Sequence, residues 1–164
     1  MTTWQLQLPD AEATERLGAW LGETAEAGDV LLLVGNLGAG KTTLARGLAR
    51  GLAVAEPVTS PTFALHHGYR GRLPFEHLDL YRLTPAEVEA AGLPEVWEEG
   101  RGVVAIEWPE RLTDDAHDLR PEAPLSLFLV ADAEEGRLAH LEATEGTRAA
   151  GWLAAVAALA APPP

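Results

Sequence analysis

A glycine-rich segment between a continuous apolar run and an amphipathic stretch constrains the fold of this chain more than any other feature. Val30–Val34 contains five consecutive apolar residues, which is typical of a strand buried on both faces of a parallel sheet. The segment that follows, Gly35–Thr42, reads G-N-L-G-A-G-K-T. Beyond it, apolar residues recur at helical spacing at Leu44, Leu48 and Leu52. We therefore predict a strand, a tight turn and a helix in immediate succession.

The glycine-rich segment fits the pattern G-x-x-x-x-G-K-S/T of the phosphate-binding P-loop. Glycines let the backbone curl so that successive N–H groups point at phosphate oxygens, and the start of the helix adds partial positive charge. Lys41 would reach the β- and γ-phosphates, Thr42 would ligate Mg²⁺, and Thr43 extends the same edge. The predicted nucleotide contacts in this segment are Asn36, Leu37, Gly38, Ala39, Gly40, Lys41, Thr42 and Thr43.

Lys41 also stands out in the composition of the chain. It is the only lysine among 12 basic residues, and the rest are arginines. A site that needs a compact ammonium on a flexible stem explains why this one position is lysine.

Two acidic residues are candidates for the chemistry beside such a loop, because Mg²⁺ takes carboxylate ligands and an attacking water must be oriented. Glu107 follows the apolar run Val103–Ile106 and is expected at the carboxyl edge of the sheet. Asp79 ends a second strand candidate. Both acids are predicted catalytic residues together with Lys41, and both are predicted metal ligands together with Thr42. The residues alone leave open which acid holds the metal and which orients water.

Further side chains near these positions have two interpretations each. Trp108 follows Glu107 and either covers the site or packs in the core. Thr62 lies in a proline-containing segment that is either a switch-like loop approaching the γ-phosphate or a rigid connector. Trp108 and Thr62 complete the candidate nucleotide contacts. Three histidines lack a convincing metal spacing and are interpreted as surface or hairpin residues: His66, His67 and His77.

The remaining pattern predicts an α/β fold with a mixed, mainly parallel sheet flanked by helices. It indicates one domain over residues 1–161 and a frayed proline tail over 162–164. Helices are expected over Asp10–Ala27, from a capping box at Thr84, and around Trp152. The other predicted strands are 4–8, 63–69, 73–79, 102–107, 125–130 and 138–143, with 63–69 and 73–79 forming a hairpin.

Charge and cysteine content exclude several functional classes. The 164 residues include 25 acidic and 12 basic side chains, a formal net charge of −13, with no basic cluster. Strong direct binding of nucleic acid is therefore not expected. The absence of cysteine excludes thiol chemistry and disulfides.

No secretory signal is recognised at Met1–Pro9, and the apolar run 152–161 is shorter than a membrane span. A cytoplasmic protein without membrane association is expected.

Four segments together resemble a known family. G-N-L-G-A-G-K-T-T (35–43), T-S-P-T-F (59–63), H-L-D-L-Y-R (77–82) and I-E-W-P-E (106–110) occur in this order. They are similar to the TsaE family, the bacterial P-loop ATPases of tRNA threonylcarbamoyladenosine (t6A) biosynthesis, over about residues 4–112. The resemblance implies a cytoplasmic Mg-ATPase that works with TsaB and TsaD. In that family, hydrolysis is weak alone, is stimulated by the partner complex, and supports turnover of the transferase.

The resemblance also implies roles for individual residues. Lys41 would grip phosphates and Thr42 would ligate Mg²⁺, while Thr43 matches the second threonine of the family motif. Asp79 and Glu107 match its two acidic positions, and Trp108 matches its tryptophan beside the acid, which favours a site role for that side chain. Asn36 departs from the pattern, since the family commonly has aspartate there.

Two other functions would use the same phosphate-binding segment, Gly35–Thr42. A small-molecule kinase is compatible with the length of the chain, but no arginine-rich lid segment is found. A non-hydrolysing switch, in which ATP orders residues 59–63 for docking, needs the same phosphate contacts as an ATPase. No motif that reads guanine is found, which favours adenine.

Overall fold

The computed structural model describes residues 1–58, 65–132 and 136–161. Its strands are β1 (Thr2–Leu8), β2 (Val30–Val34), β3 (His66–Arg70), β4 (Pro74–Asp79), β5 (Val103–Glu107), β6 (Leu125–Asp132) and β7 (Gly136–Ala143). Its helices are α1 (Ala11–Thr24), α2 (Lys41–Gly51), α3 (Pro85–Ala90), α4 (Pro94–Glu98) and α5 (Arg148–Ala160), with one 3₁₀ helix at Pro109–Leu112.

The strands form a single seven-stranded sheet in the order β1-β7-β6-β2-β5-β4-β3. The four adjacent strands β6, β2, β5 and β4 pair in parallel, while β3, β7 and β1 add antiparallel pairs at the flanks. Five of the seven strands therefore run in one direction, because β1 and β6 are both antiparallel to β7. The predicted mixed, mainly parallel sheet flanked by helices is confirmed.

The register brings the carboxyl ends of three parallel strands together. Glu107 at the end of β5 lies opposite Leu33 of β2 on one side and opposite Asp79 of β4 on the other. Parallel α/β sheets place ligands at this edge. The two predicted acids are thus direct neighbours across adjacent strands, beside the loop that leaves β2.

Helices cover both faces of the parallel strands, which explains their continuous apolar sequences. On one face, α1, α2 and α5 pack over a core that includes Leu31, Leu48 and Trp152. On the other, α3, α4 and the 3₁₀ helix close a smaller core around Leu78 and Ile106. Every residue of β5 is buried. The strand that carries Glu107 is consequently a rigid support for its terminal side chain.

Glycines allow α1 and α2 to approach closely. A Cβ at Gly47 of α2 would lie 2.0 Å from the Glu15 carbonyl oxygen, and one at Gly18 of α1 would lie 2.2 Å from the Leu44 carbonyl oxygen. Real Cβ atoms do not tolerate such distances. The helix that begins at Lys41 is therefore fixed by backbone contact with α1.

Local signals predicted several element ends correctly. The Asp10 side chain accepts a hydrogen bond from Ala13 N (2.8 Å), and α1 begins at Ala11. The capping box at Thr84 is present at the start of α3. Helix α1 ends at Thr24 rather than at Ala27, because the backbone N–H of Glu26 donates to the Asp29 carboxylate (2.7 Å) instead of a helical carbonyl.

The β3–β4 hairpin is also confirmed, although its residues 63 and 64 lie outside the described ones. The interpretations of Thr62 and of the proline tail 162–164 likewise concern residues outside the described ranges. No helix within those ranges is long and apolar enough to cross a membrane.

Candidate functional site

A cleft of about 480 Å³ opens at the carboxyl edge of the sheet, between the loop after β2 and the ends of β4 and β5. The loop turns through two glycines with positive φ, Gly38 (79°) and Gly40 (104°), a conformation that disfavours other residues. Helix α2 begins at the next residue, Lys41. The predicted site residues that line the cleft are Leu37, Gly38, Gly40, Lys41, Thr42, Thr43, Asp79, Glu107 and Trp108.

Two residues among the predicted loop contacts do not line the cleft. Asn36 and Ala39 line a second cavity, between the loop and the end of β6, and do not line the cleft. The reason is local, because the Ala39 N–H donates to the Asn36 carbonyl (3.0 Å) and closes a turn inside the loop.

Lys41 is the most unusual group in the cleft. Its side chain is buried, and its Nζ has no hydrogen-bond partner among the described residues. The ammonium lies 4.0 Å from the centre of the Trp108 ring, a cation–π contact. A buried ammonium is costly unless it is paired with an anion. The arrangement therefore suits a negatively charged ligand that brings acceptor oxygens to Nζ.

The two carboxylates differ in their surroundings. Glu107 is 4% exposed, whereas Asp79 is half-buried and its Oδ1 accepts a hydrogen bond from the Tyr81 backbone N–H (3.0 Å). With the Thr42 hydroxyl they supply oxygen ligands of the kind that Mg²⁺ prefers. Three such groups are fewer than the six ligands of Mg²⁺. Phosphate and water oxygens would have to complete the set.

Trp108 belongs to the wall of the cleft. Its backbone has a positive φ of 60°, and its ring also contacts the Tyr81 ring, with 4.7 Å between centroids. Of the two interpretations open from the sequence, the structure favours the one that places Trp108 at the site, because the ring covers Lys41.

His77 is a hairpin residue, as one of the two interpretations of the three histidines predicted, but its burial was not anticipated. It does lie in the hairpin strand β4, but it is fully buried, and its Nε2 is 2.7 Å from Oε2 of Glu107. His66, by contrast, is exposed and contacts Glu76. The alternation of side chains along a strand could have indicated this position, because it places His77 on the same face as Asp79, two residues later.

Arg137 is a second residue that the sequence did not reveal. From β7, its Nε donates to the Ala39 carbonyl (2.9 Å) and its Nη2 donates to the Gly38 carbonyl (3.0 Å). These contacts hold the glycine-rich loop from the side opposite the cleft. No local pattern links the two segments, because almost 100 residues separate them in sequence.

The comparisons with known proteins agree on one family. The family model described as "Threonylcarbamoyl adenosine biosynthesis protein TsaE" matches residues 8–139. The chain is 47% identical over 138 residues to the tRNA threonylcarbamoyladenosine biosynthesis protein TsaE of Nostoc sp. (strain PCC 7120), with 82% of each chain covered. The protein of the same name from Treponema pallidum is 40% identical over 124 residues, covering 74% of this chain and 89% of its own.

A solved structure gives the same result. The crystal structure of Bacillus subtilis YdiB superposes with a TM-score of 0.80 and 27% identity, covering 98% of this chain and 97% of the other. The sequence relatives and the structural neighbour therefore extend the resemblance well beyond the four motifs. The chain belongs to the TsaE family of threonylcarbamoyl adenosine biosynthesis proteins.

Proposed function

We propose that this chain binds Mg-ATP and hydrolyses it as an accessory factor in t6A modification of tRNA, where hydrolysis supports turnover of the TsaB–TsaD complex. The family supports the pathway, since the relatives described above are named for tRNA threonylcarbamoyladenosine biosynthesis. The cleft supports the reaction. One observation carries most weight: the only lysine of the chain is buried without an anionic partner among the described residues, in the cleft that also holds Thr42, Asp79 and Glu107.

The residues of the cleft fit a nucleotide triphosphate and its metal. Lys41 and the N–H groups at the start of α2 would hold phosphate oxygens. Thr42 and Asp79 would hold Mg²⁺, because a half-buried carboxylate leaves room for the waters that this ion retains. Mg²⁺, when bound, would neutralise phosphate charge and order the phosphate oxygens.

Glu107 is the better candidate for orienting the attacking water. Its carboxylate is buried, stands on a fully buried strand and has one oxygen fixed by His77. A group held in one orientation can direct the lone pair of a water molecule toward phosphorus. Lys41 would stabilise charge that develops on the transferring phosphoryl group. This division of roles between the acids is part of the proposal.

The charge of the molecule supports docking on protein rather than on tRNA. With a net charge of −13, the chain offers little to neutralise phosphates along an RNA backbone. The proposal therefore leaves contact with tRNA to the partner complex and places the chain in the cytoplasm with it.

The variant Glu107→Gln tests the reaction. We expect the hydrolysis rate of bound ATP to fall by about 10²–10⁴-fold, while the affinity for Mg-ATP changes by less than about threefold. The measurement is single-turnover hydrolysis beside equilibrium binding, in the presence of TsaB–TsaD. Glu110→Gln is a matched control, because Glu110 is an exposed residue of the adjoining 3₁₀ helix. Unchanged hydrolysis by a folded Glu107→Gln variant would contradict the role.

The same measurements separate the alternative functions. Tight ATP binding without hydrolysis, even in the full complex, would favour a nucleotide-dependent docking switch. Transfer of the γ-phosphate to a metabolite instead of water would favour a kinase.

A further inference from the structure

His77 is a buried polar side chain for which the proposed reaction has no direct use. Of the five histidines of the chain it is the only one that is fully buried. It lies opposite Ala105 in the β4–β5 register, two residues before the Asp79–Glu107 pair on the same strand face. From this position the imidazole reaches along the sheet to Glu107.

The contacts of His77 restrict the tautomer of its ring. Nε2 is 2.7 Å from Oε2 of Glu107, whereas Nδ1 is buried without a hydrogen-bond partner among the residues that the structure describes. An ionised carboxylate only accepts hydrogen bonds, so Nε2 must carry the proton when Glu107 is charged. The neutral Nε2–H tautomer then leaves only an acceptor unpaired at Nδ1. A protonated Nδ1 would instead be a buried donor without an acceptor, which is costly.

The packing around the ring keeps it in place. The imidazole stacks on Phe75, with 6.0 Å between ring centroids and 12° between the planes. Phe75 is itself fully buried. The donor that faces Glu107 therefore cannot turn away without repacking the face of the sheet below α2.

We propose that His77 is a positioning residue for hydrolysis, which holds the Glu107 carboxylate in one orientation through its Nε2–H. The proposal rests on the proposed ATPase function. His77 acts through Glu107 and touches neither nucleotide nor metal. Its removal should accordingly slow the chemical step and leave nucleotide binding intact.

Two substitutions separate positioning from packing. His77→Phe keeps a planar ring on Phe75 but removes the donor, whereas His77→Gln keeps an N–H at the place of Nε2. We expect His77→Phe to lower the single-turnover hydrolysis rate by about 10–100-fold, a typical loss for a group that orients another, with Mg-ATP affinity within about threefold. His77→Gln should retain most of the rate. His140→Phe is the control, since that histidine pairs with Glu142 away from the cleft.

A double-mutant cycle and a spectroscopic measurement complete the test. In a Glu107→Gln background His77→Phe should have no further effect on hydrolysis, because it would act only through that carboxylate. The ¹⁵N resonances of the imidazole, assigned by their loss in His77→Gln, should show the Nε2–H tautomer in the free protein.

The possible failures are distinguishable. Normal hydrolysis by Glu107→Gln would overturn the proposed function itself. A Glu107→Gln defect beside normal hydrolysis by folded His77→Phe would overturn only the positioning role. So would an equal loss in His77→Phe and His77→Gln, or an Nδ1–H tautomer in the free protein.

Discussion

The ammonium of Lys41 is buried in the free protein and has no hydrogen-bond partner among the described residues. Its partner among the described residues is the face of the Trp108 ring, 4.0 Å away, rather than an anion. Arginine would be a poor replacement, because its planar group cannot act as the compact point charge that a phosphate cradle uses. A buried charge without an anionic partner lowers the stability of the free protein.

This account predicts opposite effects of Lys41→Met on activity and stability. Hydrolysis should fall by at least about 100-fold, because a donor to the developing phosphate charge is lost. The free energy of unfolding without nucleotide should stay the same or rise, because an unpaired buried charge is replaced by an apolar chain. Urea unfolding and phosphate release are the two measurements. Arg46→Met, at an exposed position of the same helix, serves as the control. A folded Lys41→Met protein with normal hydrolysis would remove the basis of the nucleotide assignment.

The glycine-rich loop gains its shape from β7 as well as from its own glycines. A trans peptide directs its C=O and N–H to opposite sides. Because Arg137 holds the Ala39 carbonyl on one side of the loop, the N–H of Gly40 is turned to the other. The arginine therefore fixes the direction of one backbone donor of the loop, which under the proposed function would face phosphate.

We expect Arg137→Ala to weaken Mg-ATP affinity by about tenfold, since two hydrogen bonds that order the loop are worth about 1–2 kcal/mol. The single-turnover rate at saturating nucleotide should change much less. Isothermal titration and rapid-quench hydrolysis would measure the two quantities. Arg120→Ala is the control, because Arg120 is an exposed residue paired with Asp118. A loss confined to the rate would contradict a role in shaping the loop.

The contact between α1 and α2 predicts a large difference between two glycine substitutions. Gly47→Ala should destabilise the fold by about 1–3 kcal/mol, because its Cβ would lie 2.0 Å from the Glu15 carbonyl oxygen. Gly151→Ala in α5 should stabilise it by up to about 1 kcal/mol, since nothing lies within 4 Å of the added carbon. Urea midpoints of both variants test this, and equal midpoints would show that the two helices can separate at little cost.

Elements with strong local signals could be predicted from the sequence, and contacts between distant segments could not. The apolar run of β2, the cap at Asp10 and the box at Thr84 each depend on neighbouring residues, and all three are present. The Arg137–loop contact depends on sheet order, which the pattern of residues does not encode locally. The burial of His77 follows from the pairing of β4 with β5 inside the sheet, which no local pattern of residues encodes.

The site itself was predictable to a similar degree. Lys41, Thr42, Asp79 and Glu107 line one cleft, as the motif and the strand ends predicted. The difference between the two acids was not predictable, because it arises from burial and from the hydrogen bond with His77. A sequence identifies the chemical groups of such a site more readily than the environment that assigns their roles.

The molecule as a whole is strongly acidic, with a formal net charge of −13, whereas its cleft contains a buried lysine that suits an anionic ligand. The chain has 25 acidic and 12 basic residues, and the positive charge at the cleft comes from Lys41, Arg82 and the start of α2. The acidic surface repels a free anion, but it repels an anion whose charge is partly neutralised by its own cation less strongly. Mg-ATP is such a ligand.

Phosphate release from Mg-ATP, by this chain alone and then with its cognate TsaB–TsaD complex, tests the central claim most directly. Glu107→Gln run in parallel would show that the signal comes from this cleft. We expect slow release by the isolated chain, a clear increase with the complex, and loss of that increase in the variant. Measurable ATP binding with no release above background in the presence of the complex would contradict the account.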